Sequence, residues 1–382
     1  MPQEPRILYL AHDADDAAVW RRVRMMKAGG ACVEVAGFRR GEGPLPGPVR
    51  LLGRTQDARL LHRIMTTGLA AARLRRSLRG MERPDAILAR NLEMLALAAR
   101  ARHLWPGPPV RLVYEVLDIH RLMLRTDALG RALRTFERRL ATPASLVLIS
   151  SPGFRRHYFE PHDLLLDRIR LVENKFLATP SALPPPSGPP LAIGWFGVLR
   201  CRWSLMTLDA LTRAQPGRFR IFLRGRPALD RMPDFHAIVA ANPDFDYGGP
   251  YRYPDDLSAI YGAVRLVWMA DRFDAGLNSD WLLPNRLYEG GAHGRIPVAL
   301  EGTEVAATLR RHGIGLILPR PDAAAAAEVL DPISEQDLER LEAAMRRVPA
   351  EAWSVTEGDC TALVAAILGR AEREALRPPE AA

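Results

Sequence analysis

The chain has 382 residues, of which 48% are apolar and 25% charged. This composition is typical of a folded protein with enough length for two domains, so disorder and fibrous architectures are excluded. No window approaches the roughly 18 to 20 uncharged apolar residues of a membrane-spanning helix, and the acidic start does not fit a signal peptide. The three cysteines lie too far apart for a disulfide framework or a paired metal knuckle. We therefore expect a cytoplasmic protein with reduced thiols.

The net charge of +9 is distributed unevenly along the chain. Residues 1–180 carry 31 Lys and Arg against 18 Asp and Glu, whereas residues 181–382 carry 22 against 26. The basic character therefore belongs to the first half, which favours an anionic partner for that half.

The first half alternates short apolar runs with amphipathic stretches, a pattern that predicts a parallel sheet covered by helices. The helix after the first strand is expected to begin at Asp15 or Asp16, because Asp is a favoured N-cap residue. The predicted strands span residues 6–11, 32–38, 85–89, 110–116, 145–150 and 169–174.

Proline dominates residues 178–190, which cannot continue a helix or an inner strand and therefore predict a stiff linker. The alternation resumes after it, with strands predicted at 191–197, 219–225, 263–270, 295–300 and 315–318, followed by helices. We expect an α/β protein with two Rossmann-like domains facing across a cleft. The expected parts are a domain at 1–177, the linker at 178–190, a second domain at 191–350, and a helical segment at 351–382 that packs back on the first domain.

Ligands of open parallel sheets bind beyond the carboxyl ends of the strands, so the strand ends are where functional residues are expected. The commonest motifs of P-loop hydrolases, zinc proteases, serine hydrolases and dinucleotide-binding enzymes are absent from the sequence. The most specific stretch is NSDWLLPNRLYEGGAHGRIPVAL at 278–300. It predicts a helix that begins near Pro284 and ends at Gly294 before a strand.

This stretch resembles the PNKLFEYLACGKPVVA segment of GT-B glycosyltransferases of the family 4 type, and the whole chain is most similar to the bacterial exopolysaccharide enzymes of the succinoglycan-biosynthesis type. The resemblance implies that Glu289 accepts hydrogen bonds from the ribose of a sugar nucleotide. It also implies that the helix start around Asn285, with Gly290 and Gly291, faces the diphosphate.

A second match lies at IGWFGVLRCRWSLMTLDAL, residues 193–211, which resembles the glycine turn and basic pair of the same family. Gly197 fits the turn, and Arg200 and Ser204 are the nearest substitutes for the phosphate-binding residues, with Arg202 left open. Arg224 is a further candidate, because a guanidinium binds phosphate in a bidentate manner.

The resemblance places the acceptor on the first domain. Asp118 and His120 follow a strand and could orient an acceptor hydroxyl or stabilise charge. Asp13 lies in the first loop, which the resemblance assigns to the acceptor side. Asp13 and Asp15 form a DxD pattern, but its position at a helix start is explained by capping, so we expect no metal requirement.

A basic amphipathic helix is predicted around residues 57–79, with an apolar stripe and arginines outside it. It could rest on an anionic lipid surface on the inner face of the plasma membrane, or it could be an ordinary surface helix. The stripe comprises Leu60, Ile64, Thr67, Ala71, Leu74 and Leu78, and the arginines are Arg59, Arg63, Arg73 and Arg76.

The expected function is transfer of a sugar from a UDP- or GDP-linked donor to a saccharide acceptor, one linked to polyprenyl diphosphate being favoured. Family members usually carry a second Glu eight residues before the position of Glu289, and here that position is Trp281, beside Asp280. A sugar-nucleotide epimerase of the same fold and a basic nucleic-acid-binding protein are the alternatives. The second is disfavoured because no nucleic-acid-binding motif occurs and the second half is acidic.

Overall fold

The computed structural model describes residues 4–55, 60–177 and 184–370, except for the side chains of residues 60–64. The predicted Arg59, the side chains of Leu60, Arg63 and Ile64, and the first part of the predicted linker lie outside the described portion. The chain divides into two compact units. Unit 1 comprises residues 1–177 and 356–382, and unit 2 comprises residues 178–355.

Unit 1 is built on a seven-stranded sheet in which every pair of neighbouring strands is parallel. The strand order is β3-β2-β1-β4-β5-β6-β7, so the direction of winding reverses between β1 and β4. The inner strands are buried on both faces and mostly apolar, as expected for a parallel sheet covered by helices. The strands are β1 (Arg6–Ala11), β2 (Cys32–Arg39), β3 (Val49–Arg54), β4 (Ala86–Arg90), β5 (Arg111–Val116), β6 (Ala144–Ile149) and β7 (Ile169–Leu171).

The helices of unit 1 are α1 (Ala17–Ala28), α2 (Leu60–Ser77), α3 (Asn91–Ala101), α4 (Ala128–Ala141), the single turn α5 (Pro152–Phe154) and α14 (Glu357–Ile367). Helix α2 packs on α3 and α3 on α4, while α14 packs on α1. Gly29 permits the contact between α14 and α1, since a Cβ there would lie 2.3 Å from the carbonyl oxygen of Cys360. A short π-helical turn at Arg155–Phe159 follows α5.

Unit 2 is built on a six-stranded parallel sheet with the order β10-β9-β8-β11-β12-β13. Its direction of winding reverses between β8 and β11. The strands are β8 (Leu191–Leu199), β9 (Phe219–Pro227), β10 (Phe245–Tyr247), β11 (Leu266–Trp268), β12 (Ile296–Leu300) and β13 (Leu316–Leu318).

The helices of unit 2 are α6 (Arg202–Ala214), α7 (Phe235–Ala240), α8 (Leu257–Gly262), α9 (Asn278–Trp281), α10 (Asn285–Ala292), α11 (Glu304–His312), α12 (Ala323–Leu330) and α13 (Glu335–Arg347). Helix α13 begins with a capping box in which Ser334 and Asp337 exchange hydrogen bonds with each other's backbone.

The predicted α/β class, with two Rossmann-like parallel sheets, is confirmed. Two strands, β3 and β10, were not expected from the sequence. Strand β3 lies at the edge of its sheet with half-exposed residues, so it lacks the apolar run that marks an inner strand. Strand β10 has only three residues. Within the described residues, no helix is both long and apolar enough to cross a membrane.

Candidate functional site

Two glycines shape the carboxyl edge of the unit 2 sheet, where β8 and β9 run side by side. Gly197 pairs with Gly225, and both have positive φ angles, 104° and 137°. A Cβ at Gly225 would lie 1.7 Å from the carbonyl oxygen of Gly197, so no side chain fits there. A Cβ at Gly197 would meet no atom within 4 Å. The backbone at Gly197 therefore lies beside open space, which would allow a ligand to approach it closely.

Two arginines lie at the same edge, around the carboxylate of Asp271. Arg200 follows β8, and its Nε is 3.5 Å from an oxygen of Asp271, while its guanidinium lies 4.8 Å from the ring centre of Phe273. Arg286, in the first turn of α10, donates a hydrogen bond to the Met269 carbonyl at 3.1 Å. Burial lowers the pKa of Arg286, the charge of Asp271 opposes that shift, and the charge of Arg200 adds to it. The guanidinium groups of Arg200 and Arg286 are therefore close enough to interact with each other and with Asp271.

The carboxylate of Glu289 lies inside unit 2, with only 3% of the residue exposed. One of its oxygens accepts a hydrogen bond from the Tyr261 hydroxyl at 3.1 Å. Tyr261 packs edge-on against Phe196 and stacks on His293, each with ring centres 5.0 Å apart. Burial and the charge of Glu289 raise the pKa of Tyr261 well above its usual value, so the phenol stays protonated and donates. This arrangement fixes the direction of the Glu289 side chain.

Helix α10 also carries the other predicted residues of the 278–300 segment. Asn285 is its first residue, directly after Pro284. Gly290 and Gly291 are buried against protein rather than beside open space. A Cβ at Gly290 would lie 3.4 Å from Val267, and one at Gly291 would lie 2.3 Å from the Trp353 ring. The two glycines therefore allow α10 to pack closely, and they position Glu289 and Arg286.

Ser204 and Arg202, at the start of α6, are both engaged by other parts of unit 2. Ser204 is fully buried, and its hydroxyl donates a hydrogen bond to the Ala270 carbonyl at 2.8 Å. Arg202 forms a two-pronged ion pair with Asp234, with one contact at 2.8 Å. The Cys201 thiol caps this helix and accepts hydrogen bonds from the amides of Ser204 and Arg272. These contacts hold the turn that carries Arg200.

Arg224 extends from β9 across Gly248. A Cβ at Gly248 would lie 0.9 Å from an Nη of Arg224, so the guanidinium occupies the space that a larger residue at position 248 would need. Neither Arg286 nor Cys201 was expected from the sequence to belong to the site. For Arg286 a signal was available, because the family segment PNKLFEY has a lysine where this chain has arginine.

The carboxyl edge of the unit 1 sheet brings His12 and Asp13 together after β1. Burial raises the pKa of Asp13, and its Oδ1 accepts a hydrogen bond from the Asp15 amide at 3.1 Å. Burial and the neighbouring Arg90 lower the pKa of His12 to about 4, so its imidazole is neutral at pH 7. The Nδ1 atom of His12 is enclosed and has no hydrogen-bond partner among the described residues.

A chain of buried polar groups lies beneath this edge. The Tyr9 hydroxyl contacts Glu115 at 2.5 Å and accepts a hydrogen bond from Arg90 at 3.1 Å. The other oxygen of Glu115 accepts from Arg22 at 2.6 Å. Arg90 also lies 3.4 Å from Asp16, the N-cap of α1. Because the network joins β1, β4, β5 and α1, it fixes the side chains that lie next to it at this edge, such as His12 and Asp16.

Asn91 begins α3 directly after β4, at the point where the winding of the unit 1 sheet reverses. Its φ angle of 67° lies in the left-handed region, which is uncommon for residues other than glycine. Its buried Oδ1 has no hydrogen-bond partner in the described part of the chain. Ligands of open α/β sheets bind at such reversals, so Asn91 and His12 join Asp13 as candidates for contact with a substrate. His12 was not expected from the sequence.

Asp118 and His120 lie on an exposed loop after β5. The Nδ1 atom of His120 accepts a hydrogen bond from the Leu122 amide at 3.3 Å and caps a short 3-10 turn.

The DxD pattern is engaged by positive groups. Asp15 accepts hydrogen bonds from the amides of Arg40 and Gly41 and contacts the Arg39 guanidinium at 3.3 Å. Asp13 lies 3.3 Å from Arg40. In the described ranges, no group of three or more His, Cys, Asp or Glu residues could hold a metal ion.

The chain matches solved structures that have the GT-B fold. The chain matches a structure of Anabaena Alr3699/HepE in complex with UDP and glucose, with a TM-score of 0.70, 15% identity, and coverage of 96% of this chain and 100% of that one. It matches sucrose-phosphate synthase from Thermosynechococcus elongatus with a TM-score of 0.70, 15% identity, and coverage of 97% and 99%. At these identities the matches show the fold, which is GT-B.

No protein-family model matches the chain. A curated relative, the succinoglycan biosynthesis protein ExoL of Rhizobium meliloti, is 46% identical over 374 residues, which cover 94% of this chain and 92% of the relative. The chain belongs to the ExoL family of succinoglycan biosynthesis proteins. The resemblance to succinoglycan-type GT-B proteins expected from the sequence is thereby confirmed.

Proposed function

We propose that this protein transfers a sugar from a UDP-linked donor to a saccharide acceptor during exopolysaccharide synthesis. The proposal is supported by the carboxyl edge of unit 2, where Arg200 and Arg286 lie near Asp271 and the backbone at Gly197 lies beside open space. Membership of the ExoL family supports the polysaccharide setting, because the curated relative is named for succinoglycan biosynthesis. The Anabaena HepE structures hold UDP, glucose or UDP-glucose, which supports UDP as the nucleotide.

The donor site follows from the chemistry of these groups. A diphosphate beside Gly197 would receive hydrogen bonds from Arg200 and Arg286, whose guanidinium groups match phosphate oxygens. Cleavage of the sugar–phosphate bond places negative charge on the leaving diphosphate, and two fixed cations stabilise that charge. We assign the carboxylate of Glu289, which the hydrogen bond from Tyr261 orients, to the ribose hydroxyls. Ser204, Asn285, Gly290 and Gly291 position these groups, and Arg224 is a further candidate for a phosphate contact.

The acceptor site is assigned to the edge of unit 1. The neutral His12 and the unpaired Oδ1 of Asn91 are hydrogen-bonding groups that suit a sugar hydroxyl, and Asp13 and His120 are candidates to receive its proton. Asp118, on the same exposed loop, would orient the acceptor. The acceptor that we propose is a saccharide linked to polyprenyl diphosphate.

Binding of the acceptor would bring unit 1 to an anionic membrane surface. The described part of α2 exposes Arg73 and Arg76 together with Met65 and Leu69. Leu74 and Leu78 are buried, so part of the predicted stripe packs inside unit 1. Helix α2 thus combines exposed cations with exposed apolar side chains, the features of a helix that rests on lipid.

The proposal is tested by calorimetric titration with UDP, GDP and ADP, using the wild-type protein and Glu289→Gln. The substitution keeps an oxygen for Tyr261 but removes the charge, so we expect UDP affinity to fall by about tenfold or more, as for a charged hydrogen bond worth roughly 1.5 to 3 kcal/mol. Glu342→Gln is the matched control, because Glu342 is also buried but is bonded to Arg265 on the amino side of β11. We expect it to lower stability and leave UDP affinity unchanged.

Turnover of the UDP-sugar in the presence and absence of acceptor separates a transferase from an epimerase. Release of UDP that requires the acceptor supports the proposal. Interconversion of the sugar without acceptor would overturn it, and so would a failure to bind any nucleoside diphosphate.

A further inference from the structure

A basic pocket of about 230 Å³ opens on the surface of unit 1, between α4 and the segment that follows α5. Three arginines of α4 line it, and they follow one another at spacings of three and four residues, so they lie on one face of the helix. The pocket thus presents three guanidinium groups to one cavity. The lining residues are Arg131, Arg134, Thr135, Arg138, Tyr158, His162 and Leu164.

Backbone carbonyls hold the three arginines in place. Arg131 donates a hydrogen bond to the carbonyl of Thr126 at 3.0 Å, and Arg138 donates to the carbonyl of His162. Arg134 donates to two carbonyls of the loop before the helix. A guanidinium has five N–H donors, so each of these groups keeps donors for another partner.

The acids around the pocket are already engaged. Glu137 is buried, accepts hydrogen bonds from two tyrosine hydroxyls, and has its pKa raised by burial against the opposing charge of Arg134. Asp127, whose charge also acts on Arg131, accepts a hydrogen bond from Arg125 at 2.9 Å. Among the described residues, none of the three pocket arginines forms an ion pair with a carboxylate. The pocket therefore has an excess of positive charge.

The imidazole of His162 forms part of the wall that faces these cations. Burial lowers its pKa, and the charges of Arg134 and Arg138 lower it further. Its ring stands edge-on to Tyr158, with the ring centres 5.3 Å apart. A neutral imidazole carries one N–H donor, so this wall adds a donor and no negative charge.

These groups suit a tetrahedral oxyanion. A guanidinium binds carboxylate or phosphate oxygens through paired N–H donors. A carboxylate has only two oxygens, whereas a phosphate group has more and is able to contact three arginines at once. Like charges at neighbouring helix positions repel one another, so an anion among these arginines also stabilises α4.

The pocket extends away from the sheet edge that we assign to the acceptor. Helix α4 leads from the carboxyl end of β5 to the amino end of β6, its parallel neighbour. Arg138 lies seven residues after Arg131, which is about 10 Å further along the helix and away from that edge. A ligand in the pocket therefore does not need to be part of the acceptor.

Arg134 connects the pocket to the loop that carries Asp118 and His120. Its guanidinium donates hydrogen bonds to the carbonyls of Met123 and Arg125 at 2.5 and 2.7 Å. The Met123 amide in turn donates to the His120 carbonyl at 2.8 Å. An anion bound to Arg134 is thus linked to His120 through two successive hydrogen bonds.

We infer that this pocket is a site for a soluble phosphate or diphosphate anion, held by Arg131, Arg134 and Arg138, and that its occupancy strengthens acceptor binding by fixing the loop of His120. Binding of the anion does not depend on the proposed function. Its effect on the acceptor does rest on that function.

The first test is calorimetric titration with inorganic phosphate and with inorganic diphosphate, in saturating UDP so that the edge of unit 2 is occupied. We expect the wild-type protein to bind and Arg138→Gln to bind at least about tenfold more weakly, as for the loss of a charged hydrogen bond. Arg139→Gln is the matched control, because Arg139 is exposed on α4 but does not line the pocket. It removes the same charge, and we expect less than about a twofold loss.

Absence of wild-type binding would overturn the inference. Equal losses in Arg138→Gln and Arg139→Gln would also overturn it, because they would show diffuse attraction rather than a site. Arg131→Gln is the second pocket variant, and UDP affinity is the fold control for both. Arg286→Gln tests the location, and a loss of phosphate binding confined to this variant would assign the anion to unit 2 instead.

The second test measures transfer at increasing phosphate concentration. We expect the KM for the acceptor to fall by about fivefold or more with little change in kcat, and this dependence to disappear in Arg138→Gln. An unchanged KM would overturn the link to the acceptor loop. A KM that rises with phosphate, as in competition, would mean that the acceptor itself carries the anionic group and would overturn a soluble source.

The outcomes separate the pocket from the proposed function. If the wild-type protein binds phosphate but no nucleotide, the proposed function fails while the anion site stands. If it binds UDP and transfers sugar but binds no phosphate or diphosphate, the anion site fails while the proposed function stands.

Discussion

The first sheet of this chain has its buried ion-pair network near its carboxyl edge, whereas the second has its ion-pair network at its amino edge and leaves the backbone at Gly197 open at the carboxyl edge. In unit 1, Glu115 and Arg22 lie inside the domain with 1% of each side chain exposed. In unit 2, the comparable network joins Arg265, which precedes β11, to Glu342 at 2.9 Å and to Glu335 at 2.5 Å. Two sheets with the same parallel architecture thus differ in which end is filled by polar contacts.

This difference corresponds to different tasks at the two edges. A buried ion pair stabilises the fold less than its Coulomb energy implies, because both charges lose their hydration. Its geometry, however, fixes the side chains above it, such as His12 and Asp16 in unit 1. In unit 2, the open backbone at Gly197 and the cations Arg200 and Arg286 leave room for a charged ligand. The first edge is therefore preorganised by protein contacts, and we expect the second to be completed by the nucleotide.

The largest expected effect comes from breaking the unit 1 network. Glu115→Ala leaves Arg22 buried without its partner and removes the acceptor of Tyr9, so we expect the free energy of unfolding to fall by about 3 to 5 kcal/mol. Urea unfolding followed by circular dichroism measures the change. Arg310→Gln is the control, because Arg310 pairs with Glu301 at the surface and such a pair contributes roughly 0 to 1 kcal/mol. Similar losses in both variants would contradict the structural importance of the network.

The buried ion pair of Glu115 and Arg22 also predicts how the stability of unit 1 depends on pH. Burial raises the pKa of Glu115, but the charges of Arg22 and Arg90 and the hydrogen bonds from Tyr9 and Arg22 overcome it, so the pKa lies below its ordinary value of 4.5. The contribution is therefore present above about pH 4.5 and is lost as the pH falls through the lower folded value. The difference between the wild-type protein and Glu115→Ala should narrow on acidification. A constant difference would mean that the charge of Glu115 is not what stabilises unit 1.

A smaller effect is expected at the edge of unit 2. Arg286→Gln should lower UDP affinity by about tenfold or more, since a charged hydrogen bond contributes roughly 1.5 to 3 kcal/mol. Stability should change little, because burial disfavours the charged guanidinium and lowers its pKa, so the fold gains little from that charge. Calorimetric titration with UDP measures the loss. Arg202→Gln is the matched control, because Arg202 lies close in sequence to Arg200 but is paired with Asp234.

Transfer activity in EDTA completes this test. If Arg200 and Arg286 neutralise the diphosphate, activity should survive the chelator and fall in Arg286→Gln. Loss of activity in EDTA that manganese restores would assign that role to a metal ion, and the DxD carboxylates of Asp13 and Asp15 would then have a role beyond their contacts with Arg39, Arg40 and Gly41.

The sequence was sufficient for the fold because inner parallel strands are continuous apolar runs, and their alternation with helices has few topologies. It was not sufficient for the polar network. Glu115 is visible in the run VRLVYEV, but its partner Arg22 lies 93 residues earlier on a helix. Only the packing of α1 on the sheet brings the two together, and no local pattern encodes that contact.

The candidate site also has parts that the sequence predicts and parts that only the fold brings together. The helix α10, which carries Glu289, could be predicted because one contiguous stretch encodes it. His12 and Asn91 come from the ends of β1 and β4, which become neighbours only where the winding of the sheet reverses. Ser204 looked like a ligand residue in the sequence, but its hydroxyl is bonded to the Ala270 carbonyl, a contact that depends on the position of β11.

The smallest expected effect is a gain in stability rather than a loss, and it comes from Asp13 at the carboxyl edge of unit 1. Burial raises the pKa of Asp13, so its ionised form is less favourable in the folded protein than in the unfolded chain. The associated stability is fully present below the unfolded pKa of about 3.8 and is lost as the pH rises through the raised value. Asp13→Asn keeps the oxygen that accepts from the Asp15 amide and removes the charge. We therefore expect it to stabilise unit 1 slightly at pH 7, by no more than about 1 kcal/mol.

The gain should vanish when the pH falls below that range, because the wild-type carboxyl is then neutral as well. Thermal unfolding of both proteins at pH 7 and pH 3 measures the difference, and transfer activity shows whether the charge is retained for function. A more stable Asp13→Asn that transfers sugar slowly would mean that unit 1 retains this charge at its edge for catalysis. A less stable variant would instead mean that the charge of Asp13, like that of Glu115, stabilises the fold.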